Sequence, residues 1–373
     1  MKKIAALLLV FVLLFGFTSC TVKNGSELKR RLIIQGIGLD LAEDGMLLLS
    51  VQVLNTDVST HASSNSEPES LVKLYSVKAR TLSEAVKQIS AVTGKNPVLS
   101  QNRIVVFGYE LAKRGVGKYL DDFFRNDENR FSVLCLVSKT TAKEIIYAGL
   151  GDNVIPARLT EKILLGADYN YEITKTSILK LRNTVLSENT ACAVPVAELE
   201  KDENFYKINI SGSAVFLDGK LMLTVDNKIT SGINILNSKL KKSFFSVELS
   251  DGTNVSYEML NCHTSIKTDN SAERPVFNIN ISGSLSVDEI DSEKFLNTSY
   301  EDIEFLEEEA QEHIKKLVTE SIKKCVIENS IDVFGFSVKF KNKNEAIELI
   351  KNSDYNISVN LRIKRMGDSA VSF

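Results

Sequence analysis

A change of pattern near residue 200 limits the fold more than any other feature of this chain. Before it, short apolar strands alternate with helices, as in the strand pattern of Arg103 to Gly108 and the helical pattern of Glu110 to Phe124. After it, alternating strands follow one another around Asp-Gly turns at Asp218 and Asp251, which is typical of antiparallel hairpins. We therefore predict an α+β protein of several domains, with mixed and antiparallel sheets and packed helices.

The longest helix is predicted from Tyr300 to about Asn329, after the hairpins. Its apolar side chains recur every three or four residues and predict one buried stripe, made of Ile303, Leu306, Ala310, Ile314, Leu317, Ile322, Cys325 and Val326. A short helix and a final alternating strand follow it. The last domain is therefore expected to combine hairpins with one long helix.

Two polar stretches suggest how the chain is divided. A length of 373 residues allows two or three domains. Residues 57–70 are polar and rich in serine, which predicts an exposed flexible loop. Residues 196–206 lie in an aperiodic, acidic stretch and are predicted to be a linker. This linker separates an N-terminal α/β region at 20–195, with two expected subdomains, from a C-terminal domain at 207–373 that contains an antiparallel sheet and the long helix.

Residues 1–19 have the features of a signal peptide. Lys2 and Lys3 provide a short positive start, and Ile4 to Phe17 form an uncharged apolar core. That core is shorter than the ~20 apolar residues that a transmembrane helix needs. The chain turns polar directly after Cys20. A transmembrane anchor is therefore disfavoured.

The residues around Cys20 resemble the lipobox of bacterial lipoproteins. Small residues at Thr18 and Ser19 come directly before Cys20, although Phe17 stands where leucine is usual. The resemblance implies diacylglyceryl on the Cys20 thiol and cleavage between Ser19 and Cys20, after which the acyl chains hold the protein on the membrane. A cysteine that falls by chance near the end of an ordinary signal peptide is the alternative.

Composition argues against several classes of function. The chain carries 45 basic and 48 acidic side chains, which does not suggest nucleic acid as a partner or a polybasic membrane patch. The three histidines, His61, His263 and His313, lack the spacing of a metal site. The sequence contains no GxSxG, Walker A, HExxH or CxxC motif, and its cysteines do not select a disulfide pairing. We therefore expect no catalytic residues, no metal and no cofactor, and a protein that is not an enzyme.

Several stretches, in their order and spacing, resemble one family, the C subunits of bacterial spore germinant receptors, or Ger(x)C lipoproteins. Besides the lipobox cysteine, the matching stretches are Arg30 to Asp40, Thr81 to Ala85, Val105 to Ala112, Asp122 to Arg130, Gly212 to Phe216, and Asp332 to Phe336. The chain departs from the pattern in having no tryptophan. This departure leaves the details of contacts open more than it affects membership.

The resemblance implies a mixed α/β protein held on the outer face of the cytoplasmic membrane, which is the inner membrane of the spore. There it is expected to assemble with two integral-membrane subunits into a nutrient receptor required for germination, with no catalytic role. The alternative is a solute-binding lipoprotein of a transporter, which should show two βαβ lobes around a polar cleft.

Arg125 and Arg130 are the candidate partner contacts. They flank the polar segment Asn126-Asp127-Glu128-Asn129. One interpretation is a charged surface that docks onto a partner subunit. The other is a helix end at which arginine pairs with neighbouring acidic residues, a common arrangement.

Overall fold

The computed structural model describes residues 30–56, 70–125, 130–149, 154–187, 190–202, 205–237, 242–269, 274–291, 299–340, 343–366 and 369–370. The strands are β1 Arg31–Leu41, β2 Leu47–Leu54, β3 Val72–Ala79, β4 Asn96–Val98, β5 Ile104–Phe107, β6 Leu134–Ser138, β7 Ala191–Asp202, β8 Phe205–Leu217, β9 Lys220–Val225, β10 Ser243–Glu248, β11 Asn254–Asp269, β12 Val276–Ile290, β13 Asp354–Met366 and β14 Ser369–Ala370. The helices are α1 Leu82–Thr93, α2 Tyr109–Arg114, α3 Gly117–Arg125, α4 Ala142–Ile146, α5 Pro156–Leu165, α6 Ile178–Leu186, α7 Asn227–Leu236, α8 Tyr300–Ile322 and α9 Lys343–Lys351.

Two sheets organise these elements. The first has the order β3-β2-β1-β5-β6-β7-β8-β9, with β4 beside the start of β1. Its central strands β1, β5, β6 and β7 are parallel, and antiparallel strands flank them on both sides. The second has the order β10-β11-β12-β13-β14, in which only the β12–β13 pair is parallel. The predicted class, α+β with mixed and antiparallel sheets, is confirmed.

The long helix packs on the second sheet. It runs from Tyr300 to Ile322 and continues as a π-helical turn at Lys323–Glu328. All eight side chains of its predicted stripe are buried, from Ile303 to Val326. They share one hydrophobic core with the inward side chains of β10 to β13. The predicted combination of sheet and long helix is therefore present in the second half of the chain.

The glycines of the Gly-Ile-Gly segment allow helices to lie close to β1. A Cβ at Gly36 would come within 3.0 Å of Ala157 Cβ, and a Cβ at Gly38 within 3.0 Å of Ile146 Cγ1. Helices α4 and α5 can therefore approach the backbone of this central strand more closely than over larger residues. Gly36 and Gly38 therefore allow α4 and α5 to pack on the first sheet.

The prediction of a linker at 196–206 is wrong for the local structure. Strands β7 and β8 pair across this segment, from Ala191 opposite Leu217 to Asp202 opposite Phe205. The first half of β7 is buried as a continuous apolar run, so it lacks the alternation by which a strand is recognised. Pro195 lies beside a register shift in the β7–β8 pairing, where the ladder tolerates proline.

The domain bounds on either side of residues 196–206 remain a prediction. Residues 57–69 of the predicted loop lie outside the described residues.

Helix α7 was not expected from the sequence. Asp226 caps it by accepting a hydrogen bond of 2.9 Å from the backbone N–H of Ile229. Gly232 interrupts the apolar pattern, which weakens the helical signal. A Cβ at Gly232 would collide with Ser321 and with the Leu317 carbonyl of α8, so the glycine lets two helices cross closely. Close packing against α8 therefore requires Gly232, the same residue that weakens the helical pattern of α7 in the sequence.

Helical spacing does not ensure burial at every position. Spacing alone places Val92, Leu159 and Val185 on apolar stripes of their helices, but all three are exposed. The similar segments Ile208–Ser213 and Ile279–Ser284 lie in different sheets, because β8 is inside the first sheet and β12 inside the second.

Candidate functional site

The candidate site is the surface at the C-terminal end of α3. The Arg125 side chain is 77% exposed, and its Nε donates a hydrogen bond of 2.7 Å to Asp121 Oδ2, one helical turn earlier. This bond raises the pKa of the Arg125 guanidinium. An ion pair this exposed contributes little to folding stability. The pair therefore orients Arg125 and leaves most of its surface available for contact.

A second arginine reaches the same surface from α6. The guanidinium carbon of Arg182 lies 4.2 Å from the centroid of the Phe124 ring, the geometry of a cation–π contact. Its Nη2 lies 3.9 Å from Asp121 Oδ1. Asp121 therefore lies between two arginines that come from different helices.

An aromatic stack connects the two ends of segment 126–129, which itself lies outside the described residues. The rings of Phe124 and Phe131 have centroids 4.6 Å apart and are inclined by 8°. Phe131 is 46% exposed, and Arg130 beside it is also exposed. The stack thus places both predicted arginines on one continuous surface, here called the α3 patch, made of Asp121, Phe124, Arg125, Arg130, Phe131 and Arg182.

A small crevice lies beneath the α3 patch. Its volume is about 10 Å³, and Asn102, Arg130 and Ile178 are among the residues that line it. A space of this size holds at most about one water molecule. Asn102 is buried, and its side-chain oxygen has no hydrogen-bond partner in the described part of the chain. The patch is therefore suited to surface contact rather than to enclosing a nutrient molecule.

The remaining predicted residues do not gather into a chemical site. Cys20 and His61 lie outside the described residues. His263 is exposed on β11, and His313 stacks on Phe245 at a centroid distance of 5.6 Å. Among the residues that the structure describes, no three or more His, Cys, Asp or Glu side chains are grouped to hold a metal, and the four cysteines are free and buried. No described helix is long and apolar enough to cross a membrane.

Two of the stretches that carry the family resemblance, Arg30 to Asp40 and Val105 to Ala112, meet at Asp40. Its buried carboxylate accepts hydrogen bonds of 2.7 Å from the Ala142 N–H and 2.9 Å from the Lys143 N–H, at the start of α4. Burial raises the pKa of Asp40 although these bonds favour its charged form. A Cβ at Gly108 would collide with the carboxylate. The carboxylate therefore fixes α4 against β1, which is a structural task.

The segment from Asp332 to Phe336 has a similar role. The buried Asp332 carboxylate accepts hydrogen bonds from the backbone N–H groups of Phe334, Phe336 and Ser337 at 3.2, 3.0 and 2.6 Å. Gly335 between them has a φ of +75°, which favours glycine. The turn directs the Phe336 ring into the core, 4.7 Å from the Phe277 centroid.

Glu307 has a role that was not predicted from the sequence. It lies in the acidic first turns of the long helix, yet it is 4% exposed. It accepts hydrogen bonds of 2.7 Å from Arg362 Nη1 and from the Ile363 N–H of β13. The spacing from Ile303 to Ala310 already puts Glu307 on the buried stripe, which was the available signal. An open groove of about 310 Å³ lies beside it, between α8 and β13.

Comparison with known proteins gives matches to both halves of the chain. The family model of the spore germination protein N-terminal domain matches residues 24–199, and that of the spore germination B3/GerAC-like C-terminal domain matches residues 211–367. Spore germination protein KC of Bacillus subtilis (strain 168) is 22% identical over 333 residues, which cover 83% of this chain and 81% of that protein. YfkR of the same organism is 23% identical over 174 residues, or 45% of this chain and 44% of YfkR.

A solved structure has the same overall fold. The crystal structure of the GerBC protein covers 88% of this chain and 96% of its own, with a TM-score of 0.56 and 16% sequence identity. The two domain models, in order, and this shared fold define a two-part spore germination protein. The chain belongs to the Ger(x)C family. Membership supports a role in spore germination.

Proposed function

We propose that this chain is the lipid-anchored, non-enzymatic C subunit of a nutrient germinant receptor required for spore germination. The observation that carries the proposal is the match of both family domains, in order, to residues 24–199 and 211–367. The proposed anchor is diacylglyceryl on Cys20, after cleavage between Ser19 and Cys20. It holds the protein on the outer face of the cytoplasmic membrane, the inner membrane of the spore.

The α3 patch is the proposed contact with one of the two integral-membrane subunits. Its arginines and exposed Phe131 ring combine positive charge with an aromatic side chain, residue types enriched at protein interfaces. A non-enzymatic role is supported by the buried carboxylates of Asp40 and Asp332, because both bind backbone N–H groups of this chain and hold its helices and turns. A solute-binding lipoprotein is less well supported, since the hairpins β7–β8–β9 and β10–β11–β12 do not form βαβ lobes.

Deletion and complementation in a spore-forming host test the proposal. Spores that lack this gene and its paralogues should germinate poorly with at least one defined nutrient, measured by release of dipicolinic acid, and the wild-type gene should restore the response. Normal germination of the deletion strain with every nutrient would contradict the receptor role.

The anchor is tested separately with Cys20→Ala. We expect this variant to leave the membrane fraction, because the acyl chains can no longer be attached. A variant with mutations elsewhere in the leader but an intact Cys20 and a preserved apolar core serves as the control. Retention of Cys20→Ala in the membrane, with an uncleaved leader of lower gel mobility, would show that the leader itself is the anchor.

A further inference from the structure

Strand β13 has one side that is largely unpaired. Strand β12 pairs with it from Asp354 to Met366, whereas β14 pairs on the other side only with Arg365 and Met366. Within the residues that the structure describes, no strand pairs with the outer side of β13 between Asp354 and Leu361. An unpaired edge of this length is a template for pairing with another strand.

The hydrogen bonds at the two ends show which backbone groups face outward. The Asp354 N–H donates to the Pro275 carbonyl, towards β12, at 3.1 Å. The Ile363 N–H donates away from β12, to Glu307 at 2.7 Å. Backbone groups point to alternate sides along a strand, and the register is continuous from Asp354 to Ile363. The odd-numbered residues from Tyr355 to Leu361 therefore present their N–H and C=O groups outward, and Glu307 closes the edge at Ile363.

The apolar side chains along this edge are incompletely covered. Ile357 and Val359 point to the core side of the sheet and are only half-buried. Their neighbours on β12, Ile279 and Ile281, are 0% and 1% exposed. One further strand would cover Ile357 and Val359 as β13 covers their neighbours. Basic side chains and register shifts normally prevent the edge of a sheet from pairing with another strand. On β13 the basic side chains begin only at Arg362, and the register shift lies beyond Ile363.

We propose that β13 pairs with β13 of a second copy of this chain, antiparallel, about a two-fold axis through Ser358. In this register Asp354 of each copy faces Arg362 of the other copy. The two-fold symmetry therefore gives two such pairs of opposite charge. Tyr355 faces Leu361 and Ile357 faces Val359, so that apolar side chains lie opposite each other.

The register also satisfies the backbone. The outward-facing odd residues form the hydrogen-bonded pairs, and the even residues form the non-hydrogen-bonded pairs, as an antiparallel ladder requires. Pairing ends at Arg362, before Ile363, whose N–H already binds Glu307. The Arg362 guanidinium donates one hydrogen bond to Glu307 and has further N–H groups for Asp354 of the second copy. The complementary charges and apolar pairs favour a second copy as the occupant. This inference does not rest on the proposed receptor function.

Cysteine cross-linking of the full chain, in cells that produce it, tests the pairing. In the proposed register Ser358 faces its own copy at a non-hydrogen-bonded position, with a Cα separation of about 4.5 Å, which suits a disulfide. Ser358→Cys should therefore give a disulfide-linked dimer under mild oxidation. Asn356→Cys is the matched control, since two copies of residue 356 would lie roughly 13 Å apart along the strands. Coexpressed Asn356→Cys and Asn360→Cys chains should cross-link to each other.

The charge pair gives an independent measurement. Asp354→Arg should lower the dimer association constant roughly 2- to 30-fold, because two attractive cross-strand pairs become repulsive. Asp354→Glu should retain association. The proposal is overturned if Ser358→Cys stays monomeric, if Asn356→Cys alone cross-links equally well, if Ser358→Cys links to a different protein, or if Asp354→Arg leaves the dimer unchanged.

Discussion

The Asp332→Ala substitution tests whether the turn capped by the Asp332 carboxylate stabilises the hydrophobic core between the second sheet and α8. The substitution removes three hydrogen bonds, to the N–H groups of Phe334, Phe336 and Ser337. Bonds to a charged acceptor contribute about 1.5–3 kcal/mol each. Removing the buried carboxylate also removes a desolvation cost of several kcal/mol. We therefore expect a net loss of about 3–5 kcal/mol in the free energy of unfolding of this half.

The measurement combines urea unfolding with hydrogen exchange. Exchange should accelerate most in the segment that contains the turn, because its backbone N–H groups lose their acceptor. Asp44→Ala is the control: Asp44 also accepts a backbone hydrogen bond, of 3.0 Å from Met46, but in an exposed turn. Its expected cost is below about 1 kcal/mol. An Asp332→Ala protein that unfolds within about 0.5 kcal/mol of wild type would refute the reasoning, since that is the size of an ordinary surface change.

Three further outcomes are expected. Gly108→Ala should lower stability by at least about 2 kcal/mol, because its Cβ would displace the Asp40 carboxylate from the start of α4; thermal unfolding measures this. Burial lowers the pKa of His313 in the folded chain, so folding favours the neutral ring. The contribution of the neutral His313 ring to stability is therefore present above the ordinary pKa of 6.5 and is lost as the pH falls through the lowered folded-state pKa. Melting temperatures between pH 7 and pH 5 measure this loss of stability. Combined Arg125→Ala and Arg130→Ala should reduce co-purification of the membrane subunits without reducing the amount of folded chain.

Each of these has a matched comparison. Gly166→Ala should be nearly neutral, because a Cβ there meets nothing within 4 Å. His313→Phe keeps a ring beside Phe245 and should remove this part of the pH dependence; an unchanged pH profile would contradict the assignment. Lys87→Ala removes an exposed cation from α1 and should leave receptor assembly unaffected. Loss of folded chain in parallel with loss of assembly would exclude docking by the arginines.

Elements with strong local signals were predictable from the sequence. The apolar stripe of α8 repeats over many turns, so its burial follows from spacing alone. Thr81 and Thr141 cap α1 and α4 by accepting the N–H groups of Glu84 and Glu144, as their capping-box sequences predict. Gly45 follows Asp44 in the turn between β1 and β2 and has a φ of +78°, a conformation that favours glycine. In all these cases the determining interactions lie within a few residues of one another.

Features that depend on distant contacts were not predictable in this way. The α3 patch is an example: the pairing of Arg125 with Asp121 follows from helical spacing, but Arg182 reaches the same acid from a separate helix. The stacking of Phe131 on Phe124 likewise depends on where the fold places residue 131 relative to α3. Sequence spacing identified two cations, whereas the combination of cations and aromatic rings is a product of the fold.

Asp40, Gly108 and Asp332 lie in stretches that carry the family resemblance, and each has a structural role inside this chain: the two carboxylates bind backbone N–H groups, and Gly108 leaves room for the Asp40 carboxylate. They contribute no exposed chemistry that would select a nutrient or a partner. The exposed surfaces proposed for contact with a partner are the α3 patch and the outer edge of β13. The proposed experiments on those two surfaces test recognition, whereas changes at Asp40 or Asp332 test the fold.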